Sequence, residues 1–305
     1  VRPMRALSCL LLVFGGGCFE SWSTESASDT GAPARDVGPP DAPLDASTFG
    51  EGAFRLATWN LEQFPLTSRT VPSVARLVRE LDLDVVGVQE IRDRETFETL
   101  ASALDFEQIV SFGSDGFTRV GFLYDPERIR VSEIDRLFRD DDYAYPRDPI
   151  KAQLEVLRAD GTVAFDFLFV VVHLKARTDL ESQRRRVAAI EQLEAWMSEQ
   201  LEGPEQDIVV VGDFNDLLDD PPDSNVYGPL LEDDRFRFLT AAAVAEGDYS
   251  FPRFESFIDH ILVTRDALDE YGEGVTAVSH LERTEPRYLV EVSDHLPVVA
   301  TFALP

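Results

Sequence analysis

From Phe54 onward the chain alternates short apolar runs with polar turns, and the period of each run predicts its element. FRLATW (residues 54–59) reads as a strand. VPSVARLVREL (71–81), with apolar side chains three and four apart, reads as a helix, and DVVGVQ (84–89) as a buried strand, so the domain opens β-α-β. VGFLY and RIRVSEI flank Asp125-Pro126, and KAQLEVL and VAFDFLFVVV flank Asp160-Gly161; each pair is expected to form a hairpin. Leu180 to Leu201 reads as a long helix with Val187, Ile190, Leu193, Trp196 and Met197 on its core face. DIVVVG, FIDHILV and LPVVATF supply three more strands. Hairpins cannot be placed in a purely parallel sheet, so an α/β sandwich of mixed sheets is expected, in one domain over residues 51–305 and without internal repeats.

The residues before this pattern behave differently. Arg2 and Arg5 precede LSCLLLVF, a run too short to span a bilayer, and Gly15, Gly16, Gly17 and Cys18 follow, which is the layout of a signal peptide over residues 1–18. Cys18 after small residues is similar to the acylated cysteine of bacterial lipoproteins, although Gly15 stands where a leucine-like residue is usual. An exported bacterial protein is expected, either secreted or attached to the outer membrane through an acylated Cys18. Residues 19–50, rich in Ser, Asp, Pro, Gly and Ala, read as a disordered linker.

Composition narrows the chemistry. The formal charge is −29, and only Arg2, Arg5, Arg35 and six acids precede residue 50, so the acidity belongs to the domain. Such a charge repels phosphate, and a phosphate substrate needs a cation or a local basic patch. The two cysteines, Cys9 and Cys18, precede the domain, which excludes an internal disulfide or a thiolate zinc site within it. Any metal must be held by oxygen and imidazole.

Polar residues fall where the apolar runs stop: Asn60, Glu90, His173 and Asp213 sit at strand ends, where open α/β sheets bind ligands. In GDFND, Asp213 and Asn215 are two apart and point to one side if the segment stays extended. Alternation in SFIDHILV sends Asp259 and His260 to opposite faces, with Asp259 the expected site residue and His260 packed or supporting. Asp294 and His295 precede the last strand and can both reach inward.

In this order, TWNLEQF, VVGVQEI, VVVHLKAR, VVGDFND, SFIDHILV and SDHLPV resemble the endonuclease/exonuclease/phosphatase superfamily, over about residues 54–303. TRVGFLYDPERIRV and YPRDPIKAQLEV are similar to arginine-bearing segments of its deoxyribonuclease-I-like branch. The resemblance implies a four-layer α/β sandwich, two packed mixed sheets flanked by helices, and a divalent-metal-dependent phosphodiesterase. It implies Asn60, Glu90 and Asp294 around Mg²⁺ (or Mn²⁺), and His173, Asp213, Asn215, Asp259 and His295 as the catalytic set. His295 is the preferred general base with Asp213 its rival, and Arg119, Arg147 and Asn215 face phosphate. One departure stands out: the branch pairs the histidine matching His173 with a glutamate, and here that position is Thr118.

The expected substrate is nucleic acid, DNA and in the broader reading RNA, cut by an endonuclease that works as a monomer. A phosphoesterase of lipid headgroups or inositol phosphates shares the catalytic set, and a non-catalytic surface lipoprotein is the reading from another class.

Overall fold

The computed structural model describes residues 53–111 and 118–304. The expected signal peptide, Cys18, the linker and the first two residues of the domain lie outside the described residues.

Among the described residues the strands form two six-stranded sheets. The first comprises β1 (Phe54–Phe64), β2 (Val85–Ile91), β3 (Glu107–Val110), β4 (Arg119–Tyr124), β11 (Val275–Val278) and β12 (Val298–Phe302), in the order β11-β12-β1-β2-β4-β3. The second comprises β5 (Ile129–Arg136), β6 (Ile150–Leu157), β7 (Val163–His173), β8 (Ile208–Asp213), β9 (Phe236–Phe238) and β10 (Asp259–Thr264), in the order β5-β6-β7-β8-β10-β9. Both are mixed, with β1 parallel to β2, β7 parallel to β8, and the other pairs antiparallel.

The sheets pack through their inner faces, as strand alternation requires. Phe165, Phe167, Phe169 and Val171 of β7 project toward the first sheet, and the ring of Phe54 lies 5.8 Å from Phe167 and 5.4 Å from Phe302. Each such ring contributes about 2–3 kcal/mol by leaving water. The sheets approach most closely at Gly87: a Cβ there would lie 2.5 Å from Val211 Cγ2. Gly87→Val is therefore expected to destabilise the protein by about 1–3 kcal/mol or more through overpacking, read as a lower denaturant midpoint.

Leu168, Val170 and Val172, on the opposite face of β7, pack with Ile208, Val210 and Leu262 under Ala189, Ile190, Leu193 and Met197 of α3 (Leu180–Gln200). Of the side chains expected on that helix's core face, Val187 and Trp196 are only partly buried. Asp179 starts α3 by accepting from the Ser182 N–H at 3.0 Å. On the outside of the first sheet, α1 (Thr70–Glu80) and α2 (Arg94–Leu104) bury Val74, Leu77, Val78, Phe97 and Leu100. Short helices follow: α4 (Gly228–Leu231), α5 (Ala241–Ala245), α6 (Ala267–Tyr271), α7 (Leu281–Thr284) and α8 (Tyr288–Glu291).

The expected β-α-β opening and the hairpin of β6 and β7 are present. The hairpin expected around Asp125-Pro126 is not. β4 pairs with β2 on one edge and β3 on the other, whereas β5 pairs with β6 in the second sheet. With both edges of β4 occupied, the turn closed by Ile129 N–H to Asp125 O (2.8 Å) carries the chain between sheets instead of folding it back. A turn signal fixes a change of direction, not which strands pair afterwards.

One polar cluster ties late elements together. His280 lies between Asp248 (2.8 Å) and Glu282 (3.0 Å), with its ring 4.9 Å from Tyr249. Burial pushes its pKa down, but hydrogen bonds and charge from the two carboxylates lift it to about 9. The folded state then holds a proton that the unfolded chain loses near pH 6.5. The stabilisation is full below about 6.5 and fades as pH rises through about 9. His280→Ala is expected to cost about 1 kcal/mol at pH 6, allowing for solvent screening, and nothing measurable at pH 10, in urea titrations at both values.

Candidate active site

The site lies where the seam between the sheets opens at the C-terminal ends of β1, β2, β7 and β8. Register builds it. His173 ends β7 opposite Asp213, which ends β8, and Asp213 is opposite Asp259, which starts β10. Counting by twos puts His173 with Phe169 and Val171, Asp213 with Val209 and Val211, and Asp259 with Ile261 and Val263. The inner faces that pack the core thus end in three adjacent titratable side chains, all buried.

From the facing sheet, Asn60 donates its amide Nδ2 to Asp213 Oδ2 at 3.0 Å, while its Oδ1 accepts from the Glu62 N–H at 3.0 Å. His295 Nδ1 is 2.8 Å from Asp259 Oδ2, which fixes the ring, and its Nε2 lies 4.0 Å from Asp213 Oδ2. On the other side His173 Nε2 lies 3.5 Å from the same oxygen. Asp213 therefore stands between two imidazoles.

Glu90 arrives by a different route. Alternation in β2 would send it to the outer face with Val86 and Val88, but its φ is +63° and the β2–β4 register shifts between Val88 and Ile91. That left-handed residue, worth about 1–3 kcal/mol of strain, turns Glu90 toward the cleft, where its Oε2 accepts from Gln63 N–H at 2.9 Å. Asn215 is also left-handed (φ +56°), and its N–H donates to Asp213 Oδ1 at 2.9 Å. The extended GDFND expected from the two-residue spacing is thus a turn, because the Asp213 carboxylate captures the backbone N–H two residues on. Asn215 Nδ2 donates to Leu174 O at 3.3 Å, beside His173.

His260 faces away from the site, with Phe257 stacked at 5.4 Å, Phe214, Tyr227 and Phe238 around it, and Thr240 Oγ1 2.9 Å from its Nδ1. Arg147 is largely buried beside Glu90, Asp213 and His173. Its Nε has no hydrogen-bond partner, and its Nη1 reaches Leu174 O only at 3.5 Å. Arg119 starts β4 opposite Ile91, half-buried at the end of the first sheet. His173 Nδ1 is buried without a partner, as the Thr118 substitution for the branch's glutamate implies.

The electrostatics follow from burial. Desolvation and then Asp259 push the Asp213 carboxyl up to about 7, against the pull of His295 and the Asn60 hydrogen bond. Burial would push His295 down, but the charge and hydrogen bond of Asp259, with Asp213 and Asp294 beyond, lift it to about 10. Burial, then Arg147 and His295, hold His173 well below the usual histidine range, so it is neutral. The preferred base of the sequence reading, His295, is thus the protonated member of the cluster, and Asp213 is the group poised to exchange a proton near neutrality.

Two sets of donors fit a cation. Asp213, Asp259 and His295 each offer a ligand atom, all within 4.8 Å of one another, and Asp259 Oδ1 is buried without a partner. At the mouth, Glu62, Glu90 and Asp294 crowd together. Burial, then Asp294 and Glu90, raise Glu62; burial and then Glu90, against the pull of His295, raise Asp294. Hard oxygen donors with water access suit Mg²⁺ or Mn²⁺.

Several supporting residues carried no sequence signal. Ser250 Oγ donates to Asp259 Oδ2 at 2.7 Å. Ser293 Oγ donates to Asn60 O at 2.6 Å and accepts from His295 N–H at 3.0 Å. Tyr288 Oη donates to His295 O at 2.6 Å and accepts from Trp59 Nε1 at 2.9 Å. Apart from the local Ser293–His295 contact, their partners are 7 to 233 residues away in the sequence, and only the fold brings them together.

This mixed-sheet sandwich, with an Asn-Glu-His-Asp-Asp-His cluster in its crevice, defines a class of phosphoester hydrolases. The chain belongs to the Endonuclease/Exonuclease/phosphatase family, whose sequence profile matches residues 57–295. No curated protein sequence matches it. Among solved structures, the human Nocturnin catalytic domain with bound sulfate superposes with a TM-score of 0.60 at 19% identity, covering 83% of this chain and 95% of that one. TDP2 of D. rerio, complexed with a single-strand DNA product, gives 0.61 at 16% identity over 83% and 99%. A mannosyl-6-phosphatase of Bacteroides thetaiotaomicron gives 0.56 at 19% identity over 81% and 98%. At these identities the likeness is one of fold.

Proposed function

We propose that the protein is an exported, divalent-metal-dependent phosphodiesterase that cleaves nucleic-acid strands internally, with DNA the first substrate. The observation that carries this reading is the placement of the buried Asp213 carboxylate between the buried His173 and His295, with Arg147 beside it. A carboxylate flanked by cationic and hydrogen-bonding groups suits water attack on a phosphate, where a proton must leave the nucleophile as charge builds on the phosphoryl oxygens.

In this mechanism Asp213 takes the proton from the attacking water, and hydrogen bonds from Asn60 Nδ2 to its Oδ2 and from the Asn215 N–H to its Oδ1 hold the carboxylate in place. His295, fixed through Nδ1 by Asp259, presents Nε2–H to a phosphoryl oxygen, and Arg147 and Asn215 serve the others. His173 contributes a neutral imidazole as hydrogen-bond donor. Glu90 and Asp294, with Glu62 beside them and Asn60 behind, would hold Mg²⁺ or Mn²⁺, which supplies charge neutralisation at the phosphate and leaving oxygen. No covalent intermediate is required. The single-strand DNA product complex of the D. rerio TDP2 supports a nucleic-acid substrate, and the N-terminal apolar run with Cys18 supports export and an acyl anchor. The chain works as a monomer in this reading.

Metal removal tests it directly. Adding EDTA to the purified protein is expected to stop nicking of supercoiled plasmid, and Mg²⁺ in excess to restore it. Glu90→Gln should raise the Mg²⁺ concentration for half-maximal activity at least about tenfold. Nicking that survives EDTA, or turnover of sphingomyelin or inositol phosphates with plasmid left intact, would overturn the proposal.

A further inference from the structure

Beyond the scissile site, the chain gathers cations where its overall charge opposes it. Lys175 is one of only two lysines in a chain of formal charge −29. It lies two residues after His173; its Nζ donates to Ala176 O at 3.1 Å, and its ammonium is pushed down by burial and then by Arg177, Arg185 and Arg147, against the pull of Asp179. The Asp179 carboxylate is already taken by Ser182, through N–H at 3.0 Å and Oγ–H at 2.8 Å. Like charges held this close cost free energy unless an anion completes them.

The cluster is also built. Arg186, buried on α3, donates Nε to Asp216 Oδ2 at 2.6 Å, and its Nη1 donates to both Lys175 O and Arg177 O at 2.7 Å. That pair pins the loop after His173 to the loop after Asp213. It holds Arg177 exposed in left-handed backbone (φ +86°), a conformation that costs an arginine about 1–3 kcal/mol. Arg185 is fixed on the flank by Nε to Tyr143 O and Nη2 to Asp142 O, both 2.5 Å, with Asp141 nearby. Arg147 stands at the boundary. Its buried, unpartnered Nε and its charge serve the scissile site, and its Nη1 shares the Leu174 carbonyl with Asn215.

We propose that Lys175, Arg177 and Arg185, with Arg147 at the boundary, form a second phosphate subsite that holds the phosphodiester neighbouring the scissile one in the same nucleic-acid strand. The inference rests on the phosphodiesterase reading above and narrows its substrate to a polyanionic strand, as opposed to an ester with a single phosphate. It also accounts for how a chain this acidic holds such a strand: the repulsion is offset by this patch on the loop after His173.

The test uses the full-length protein and two measurements. In EDTA, binding of a fluorescein-labelled oligothymidylate is followed by anisotropy against salt. Lys175→Ala/Arg177→Ala is expected to raise Kd at least about tenfold and to flatten the log Kd–log salt slope by about 0.7, the contribution of the one phosphate that the subsite neutralises. Arg184→Ala, which removes an exposed charge from the same helix end outside the cluster, should change Kd less than about twofold. With Mg²⁺, the ratio of kcat/KM on the oligonucleotide to kcat/KM on bis(4-nitrophenyl) phosphate should fall at least tenfold in the double variant. Equal effects from Arg184→Ala, an unchanged salt slope, or a parallel loss on both substrates would overturn the subsite while leaving the hydrolase reading in place. Wild-type protein that hydrolyses neither substrate would instead overturn that reading.

Discussion

Asp213→Asn is expected to lower kcat/KM for phosphodiester hydrolysis by about 10³ or more while leaving the protein folded. The amide keeps the size of the side chain but cannot take a proton from water. Nor is the carboxylate a stabilising group, since burial and Asp259 push it up to about 7, so that near neutrality it is held ionised at a cost. Removing that charge relieves the repulsion with Asp259, and the variant should melt at the same temperature as wild type or higher. Kinetics on a synthetic diester, set beside a calorimetric melt, check both halves. A large loss of activity together with a lower Tm would mean that Asp213 is structural.

The second large effect is on stability. Arg186→Ala leaves Asp216, which is buried to 8% exposure, without the guanidinium 2.6 Å away, and is expected to cost about 3–5 kcal/mol. Arg186 also carries the carbonyls of Lys175 and Arg177, so the loop after His173 loses its anchor in the same step. An Arg186→Met/Asp216→Leu double variant separates the two roles. It should recover most of the stability, because a buried ion pair replaced by apolar side chains of similar size is often neutral, but not the strand-cleaving activity. Urea denaturation gives the first result and plasmid nicking the second. Full recovery of both would show that the pair serves only to fill space.

How much of this was legible in the sequence depends on whether local pattern or long-range pairing decides. The long helix over residues 180–200 and the strands ending at His173 and Asp213 follow from periodicity, because their apolar faces are continuous. The opposite faces of Asp259 and His260 follow from alternation alone: Asp259 meets His295 and His260 meets a ring of aromatics. Glu90 and Asn215 break alternation through left-handed backbone, which no side-chain pattern announces. The separation of β4 from β5 into different sheets was hidden for a related reason, since a turn signal says nothing of the partners beyond it. The sequence shows basic residues recurring from Arg147 to Arg186 but not which of them meet, because Arg147 and Lys175 come together only when β7 and the segment before β6 are in place.

The central claim is that this crevice hydrolyses phosphodiesters through Asp213 with a divalent ion. The most direct measurement is conversion of supercoiled plasmid to nicked circles by the full-length protein in Mg²⁺, with Asp213→Asn run beside wild type. The account predicts nicked circles from wild type, none in EDTA, and none from the variant over the same time. Equal nicking by wild type and Asp213→Asn, or plasmid that stays supercoiled while wild type releases phosphate from a monoester, would contradict it.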